Sequence, residues 1–393
     1  MSEEKLVPKL RFSGFTDEWN EVTLNDVATF SKGKGISKND ISNYGIECVR
    51  YGELYTKYNE MIYNIESKTD LDKNELKLSE KNDILIPCSG ETAIDLATAS
   101  CIQKDQVAIG GDITVIKTNQ YAPFITYYLN QKKTEIAKYA QGVSIVHLYP
   151  KDFKVMNIRI PSINEQKMII RLLEEITKKE QLLESKYQQY QEFKKYLMQQ
   201  IFTQKLRFDD NCQYKTKQVK DFLIESKIES IDDINKRLTV KLNLKGITVR
   251  ESKTIEIEGA TKQFIRKTGQ FIYGKQNLHK GAFGIIPKEL DGYLTSSDIP
   301  SFDFKEGIEP KWFYYYFARK SFYEKLENLS TGTGSKRISP KEFLNIKIIV
   351  PEFKEQHKIV CLLEKFDEKI NEISNQIVQM NMFKKSLLQQ MFV

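Results

Sequence analysis

The chain is poor in the residues that build metal and redox chemistry. It has three histidines and five cysteines among 393 residues. The cysteines (Cys48, Cys88, Cys101, Cys212 and Cys361) are scattered and form no CxxC pair. Neither a zinc site nor a disulfide framework is expected from them; they read as reduced core residues. No apolar run approaches the roughly 20 residues of a membrane span. The charged amino terminus, MSEEKLVPKL, lacks the apolar stretch of a secretory signal. A cytoplasmic protein without membrane contact is the expectation. Catalytic motifs are missing as well. There is no GxGxxG after a strand, no complete GxxxxGK[ST], and no NPPY or DPPY tetrapeptide of amino-methyltransferases. The GTGSK at 332–336 has the wrong spacing for a phosphate loop. His147, His279 and His357 have no Cys or Asp framework that suggests a triad. No catalysis, metal or cofactor is expected of the chain itself.

What is present is a repeat. Residues 160–202 and 350–392 align without a gap at an offset of 190, with 16 of 43 positions identical. The identities include Pro161/Pro351, Glu165/Glu355, Gln166/Gln356, Leu173/Leu363, Phe193/Phe383 and Lys195/Lys385. So long a period excludes a solenoid and means a duplicated half-protein. Both copies read as helices. Each has a proline at its entrance and neither Pro nor Gly afterwards. Positions 169, 173, 176, 180, 183, 187, 190, 194, 197 and 201 alternate spacings of four and three. They carry eight apolar residues out of ten, and the equivalents from Ile359 to Met391 carry nine. This is a heptad seam. At ~1.5 Å per residue each helix would be roughly 60 Å long. Such a stripe needs a partner helix, and the other copy, folded back antiparallel, is the economical choice. Lys194 and Lys384 break the seam at one equivalent position, where their stems are expected to snorkel.

The repeat extends upstream. Gly142, Pro150, Lys151, Phe153 and Ile158 match Gly332, Pro340, Lys341, Phe343 and Ile348. The tetrapeptide KLRF stands at 9–12 and again at 205–208, directly after the first helix. The second helix ends at Val393 without it. A circular arrangement cut once explains this, with the amino-terminal segment completing the second half and giving pseudo-two-fold symmetry. The organisation is therefore α+β, with domains at 1–158 and 205–348, and long helices at 159–204 and 349–393. Two similar globular α/β domains are separated by two helices forming an antiparallel coiled coil. Strands are expected at Asp83–Pro87, Ile113–Lys117, Asn157–Ile160, Phe271–Tyr273 and Ile346–Val350. Aromatic-rich helices are expected at Phe124–Lys138 and Trp312–Leu326.

This order of parts resembles the specificity subunit of type I restriction–modification systems. The resemblance is carried by the duplicated P-x-x-x-EQ helix entrances at Pro161–Gln166 and Pro351–Gln356, by LRFSGFTDEW at 10–19, and by GAFGIIPKELDGYLTSSD at 281–298. It covers essentially the whole chain. It implies two target-recognition domains, each reading one half of a split, asymmetric sequence in double-stranded DNA. It implies that the helices set the spacing and dock two methyltransferase subunits, and that restriction subunits join the full complex. It also implies a non-catalytic chain, with S-adenosylmethionine, ATP and Mg belonging to the partner subunits. The alternatives are a recognition chain of another methyltransferase or restriction system, and a coiled-coil scaffold that binds no nucleic acid.

Charge bears on that choice. Residues 1–158 hold 19 Lys and Arg against 22 Asp and Glu, whereas residues 209–348 hold 25 against 19. A DNA-binding first domain must then sort its charge locally or borrow phosphate contacts from partners. Candidate DNA-contacting residues lie in polar, glycine-bounded loops, whose amides and cations suit base edges and phosphates. In the second domain they are Lys275, Gln276, Asn277, His279 and Lys280, with Thr333, Ser335, Lys336 and Arg337. In the first they are Lys32 and Lys34, Arg50 and Tyr51, Ser89 and Thr92, and Ser144 and His147 in the Gly142–His147 loop.

Overall fold

The structure, a computed structural model, describes residues 7–142, 146–251, 259, 261–330 and 337–392. It divides into two compact units: residues 1–183 with 376–393, and residues 184–375. Each unit therefore contains one globular domain, half of each long helix, and the point where one helix begins and the other ends.

The long helices span Ile163–Phe202 and Phe353–Met391. None of the twenty seam positions read from the heptads is fully exposed. In the first unit, Ile169, Leu173 and Ile176 of the first helix share one core with Leu387 and Met391 of the second. In the second unit, Met198 and Ile201 join Ile359, Val360 and Leu363. The helices thus pair antiparallel within both units. The seam lysines do not snorkel. Lys384 Nζ donates to Glu180 Oε2 at 2.9 Å, and Lys194 pairs with Asp367. Glu180 is nearly buried and would be left uncompensated beside an apolar seam without Lys384, whereas Asp367 is 41% exposed and also accepts from the Tyr315 hydroxyl. The two acids stand one helical turn apart in the repeat, since Glu180 is equivalent to Ile370, three residues after Asp367. Four cysteines are buried, but Cys361 is exposed on the outer face of the second helix, contrary to the core reading.

The two globular domains share a frame. In the first, Asn20–Thr23 pairs antiparallel with Asn157–Ile160, the strand that feeds the first helix. In the second, Tyr214–Gln218 pairs in the same way with Lys347–Pro351. The main sheet of the first domain centres on Ile113–Thr118, antiparallel to Ala28–Lys32 on one side and Ile84–Pro87 on the other. Its counterpart in the second domain is Ser301–Phe304, between Leu223–Ser226 and Phe271–Tyr273. The expected strands are therefore present. The aromatic helices are shorter than expected. The first runs from Ala122 to Gln131 and breaks at Lys132, with a short further turn at Lys133–Ile136. The second runs from Pro310 to Phe317, and Arg319 is extended before the turn at Lys320–Tyr323. Apolar periodicity continues through both breaks, which is why the sequence reads as one helix.

The EQ signature clamps each helix to its domain. Gln166 Oε1 accepts from the Tyr121 amide at 3.0 Å, while its Nε2 donates to the Pro161 carbonyl at 2.9 Å. Gln356 does the same with Glu309 at 2.8 Å and Pro351 at 3.0 Å. Tyr121 and Glu309 are the N-cap residues of the aromatic helices, so each buried glutamine satisfies an amide that the helix itself leaves without a partner. The adjacent glutamates take the KLRF segments. Glu165 receives a two-pronged ion pair from Arg11, with both contacts 2.8 Å, and Glu355 accepts from the Phe208 amide at 2.9 Å. The amino-terminal copy of KLRF sits where the internal copy sits. The Leu10 amide donates to the Gln390 carbonyl at 2.9 Å, and the Leu206 amide donates to Gln200, the equivalent residue, at 3.1 Å.

Candidate nucleic-acid interface

In each domain the frame brings two of the sequence-derived loops together. The Leu148 amide donates to the Cys88 carbonyl at 3.0 Å, and the Ile338 amide donates to the Lys275 carbonyl at 2.9 Å. Leu148 and Ile338 are equivalent in the repeat, so Cys88 and Lys275 are equivalent too. The PCSGET and YGKQNLHKG loops, unrelated as sequences, therefore occupy the same place. In both domains this place is the end of a central strand, bonded to Leu148 in the first and Ile338 in the second.

In the first domain Val146 and His147 form a two-residue ladder with Gly90 and Ser89. Ser89 Oγ and His147 Nδ1 share a hydrogen bond of 3.1 Å. The His147 ring stacks on Tyr149 at 6.0 Å between centroids. Lys32 and Lys151 lie over that tyrosine ring at 5.5 and 5.8 Å, and Lys154 lies over Phe30 at 4.9 Å. Among the described residues none of these three lysines is ion-paired, so positive charge gathers here although the domain is acidic as a whole. Local sorting on aromatic faces supplies the cationic surface that the overall count lacks. Gly33 holds the neighbouring turn: its amide donates to the Ile113 carbonyl at 2.9 Å, and a Cβ there would collide with the Gly110 carbonyl. Lys34 is exposed beside it, its amide on the Ile109 carbonyl at 2.9 Å.

Other candidates of the first domain stand apart from this cluster. Arg50 and Tyr51 line a cleft of ≈ 960 Å³ together with Lys38, Lys57, Glu91 and Asp112. Arg50 precedes a short helix, and its amide donates to Glu53 at 2.9 Å. Glu53 is buried, and burial alone would raise its pKa. Bonds from Ser67, the Arg50 amide and Lys57 outweigh that and hold it below the usual range. Thr92 is the N-cap of a short helix, its hydroxyl engaged by Asp95.

In the second domain Lys275 and Arg337 flank Asp298. The Lys275 amide donates to the Asp298 carbonyl at 3.0 Å, and Arg337 pairs with the Asp298 carboxylate at 2.9 Å. Asn277 caps the turn Leu278–Lys280. Its carbonyl accepts from Lys280 and Ala282. Gln276 and Lys280 are exposed. His279 is partly buried, and its Nδ1 is enclosed. Ser144, Thr333, Ser335 and Lys336 lie outside the described residues. Sequence reasoning missed Tyr149, Lys151 and Lys341 as site residues. Pro150-Lys151 and Pro340-Lys341 were visible as identities, but the repeat presented them as helix approaches. It also missed Arg266, which no repeat or motif marks. Among the described residues no group of His, Cys, Asp and Glu could hold a metal ion, and no described helix is long and apolar enough to cross a membrane.

A duplicated frame with a different loop set at the same place in each copy defines a two-module protein. The chain belongs to the family of the type I restriction modification DNA specificity domain, whose model matches residues 16–192 and 213–380. It is similar to the type I restriction enzyme MjaVIII specificity subunit of Methanocaldococcus jannaschii, with 21% identity over 95% of this chain and 91% of that protein. In fold it resembles the S subunit of a type I restriction–modification system from M. genitalium. That likeness has a TM-score of 0.61 at 15% identity and covers 98% and 99% of the two chains. It also resembles the HsdS subunit of Thermoanaerobacter tengcongensis, with a TM-score of 0.52 at 13% identity over 96% and 97%.

Proposed function

We propose that this chain is the DNA-recognition subunit of a type I restriction–modification complex, each domain reading one half of a bipartite, asymmetric target in double-stranded DNA. The observation that carries this reading is the equivalence of the Cys88 and Lys275 loops. One backbone position, fixed by the same hydrogen bond in both domains, presents Ser89 and His147 in one and Gln276 and Arg337 in the other. Two readers on one frame are what a non-palindromic target requires, because base edges in the major groove are told apart by the donors and acceptors set against them. The helices set the distance between the half-sites. They also dock two methyltransferase subunits. The repeat leaves Phe193 and Phe383, identical residues at equivalent positions, 50% and 52% exposed. Identical exposed aromatics on two copies suit the same partner bound twice. The chain contributes no catalysis. S-adenosylmethionine, ATP and Mg belong to the methyltransferase and restriction subunits, and the complex works in the cytoplasm. Exchanging residues 209–345 for those of a relative tests this reading. One half of the methylated sequence should change and the other should stay; change in both halves or in neither would overturn it.

A further inference from the structure

The second unit buries an arginine that, among the described residues, makes no direct ion pair. Arg266 is 1% exposed. Its Nε donates to Thr295 Oγ1 at 2.5 Å, its Nη1 to Ser301 Oγ at 2.9 Å and the Ser226 carbonyl at 3.2 Å, and its Nη2 to the Ile299 carbonyl at 3.1 Å. All four acceptors are neutral, and among the described residues no carboxylate pairs with it. Burial lowers its pKa to about 10, so it stays cationic at neutral pH. An unpaired buried charge is costly and calls for a reason.

That charge forms part of the wall of a cleft of ≈ 540 Å³, with Ser226, Phe264, Lys275, Ser339 and Lys341 among the lining residues. Two carboxylates also line the cleft: Glu225, whose negative charge is felt by Arg266 and which pairs with Lys227 at 2.9 Å, and Glu229, which pairs with Lys262 at 3.1 Å. Lys275 and Lys341 have no ion pair among the described residues. Each acid has its own lysine partner, so the cleft keeps a surplus of positive charge from Arg266, fixed in the wall by four hydrogen bonds, and from Lys275 and Lys341 on flexible stems. Such a site selects an anion. A guanidinium has five N–H donors, and Arg266 spends four on the protein. The one left cannot make the two-pronged contact by which arginine reads guanine, but it suits a phosphate oxygen.

We propose that this cleft seats a backbone phosphate of duplex DNA, with Arg266 as its fixed positive wall and Lys275 and Lys341 as its rim. The proposal rests on the DNA-recognition reading above and adds to it. It assigns the cleft beside the Gln276–Arg337 reader, Lys275 included, to positioning the second half-site and leaves the reading of its bases to that loop. The test uses the full chain with its methyltransferase subunits, measuring affinity for a long mixed-sequence duplex across salt concentrations. The variants are Arg266→Gln, which removes the charge and keeps donors, and the rim double variant Lys275→Ala/Lys341→Ala, which leaves the buried network untouched. Each lost phosphate contact makes the slope of log affinity against log salt shallower by about 0.9. Arg266→Gln should lose about one such step and the rim variant up to about two, with the methylated motif unchanged in cells. If Arg266→Gln does not fold, the rim variant decides. A wild-type slope in the folded variants, or a relaxed second half-site, would overturn the phosphate assignment. Failure of the wild-type complex to bind any duplex would instead overturn the DNA-recognition reading, and this assignment with it.

Discussion

Lys384 Nζ and Glu180 Oε2 lie 2.9 Å apart, joining two of the three polar residues of an otherwise apolar seam. Their side chains are 16% and 11% exposed. Sliding either helix by a turn would set each charge against apolar side chains, so the pair favours the antiparallel alignment observed in the first unit.

Lys384→Met should therefore destabilise the first unit by about 3 kcal/mol, since it strands a nearly buried carboxylate. The double variant Glu180→Leu/Lys384→Met should recover most of that loss, because a well-packed apolar pair can replace an ion pair. Urea unfolding of the two variants checks this. Equal destabilisation of both would show that the pair does not set the alignment.

Acid should weaken the first unit through Glu53. Its pKa is lowered in the folded state. The unfolded chain thus takes up its proton at a higher pH than the folded one. The stabilisation is present above the ordinary glutamate range and is lost as pH falls through the depressed folded value. Thermal melting should show a drop in stability below about pH 4.3, and that part of the drop should be smaller in Glu53→Gln. A pH profile identical to wild type in that variant would exclude the carboxylate as its source.

Phe193→Ser/Phe383→Ser should abolish co-purification with the methyltransferase subunits. Half-exposed aromatics contribute little to the chain's own core but much to a desolvated interface. The isolated chain should stay folded with its melting temperature lowered by a few degrees, because Phe193 also packs on Phe366 of the facing helix at 5.5 Å between centroids, an aromatic pair worth about 0.5–1.5 kcal/mol. Intact co-purification would place the docking surface elsewhere.

The helices were legible because a heptad seam is local and runs through ten positions in each copy, more than four heptads, and because two copies of one segment check each other. Pro161, Glu165 and Gln166 were visible as identities, but their reason was not. That Gln166 caps the helix that begins after Tyr121, 45 residues earlier, is a long-range fact. Snorkelling failed for Lys194 and Lys384 for the same cause: a lysine's partner on the facing helix depends on alignment, and alignment is not written in one helix. The candidate reader loops show individually in the sequence through their polar, glycine-bounded composition. Their pairing was hidden, because Cys88–Gly90 and Lys275–Asn277 share no residue and only a backbone hydrogen bond makes them equivalent. Arg266 carried no signal, since a buried arginine and a surface arginine look alike in a sequence.

The spacing role of the helices can be tested without touching either reader loop. Tyr187 and Ile377 are equivalent positions of the two seams, both partly buried. A heptad inserted after each keeps both seams in phase, because seven residues return the apolar stripe to the same face. It also keeps Glu180 opposite Lys384 and Lys194 opposite Asp367, because both helices lengthen equally between those pairs. An insertion after Gln204 would do neither. That residue lies beyond the helix end at Phe202, in a left-handed conformation (φ 61°) that terminates the helix. Seven helical residues add roughly 10 Å, about three base pairs at 3.4 Å per step along one strand. Methylation sequencing of cells carrying the lengthened chain should therefore report the same two half-sites with a gap about three base pairs longer. An unchanged gap would mean that something other than the helices holds the half-sites apart. A change within either half-site would mean that the helices contribute to base reading.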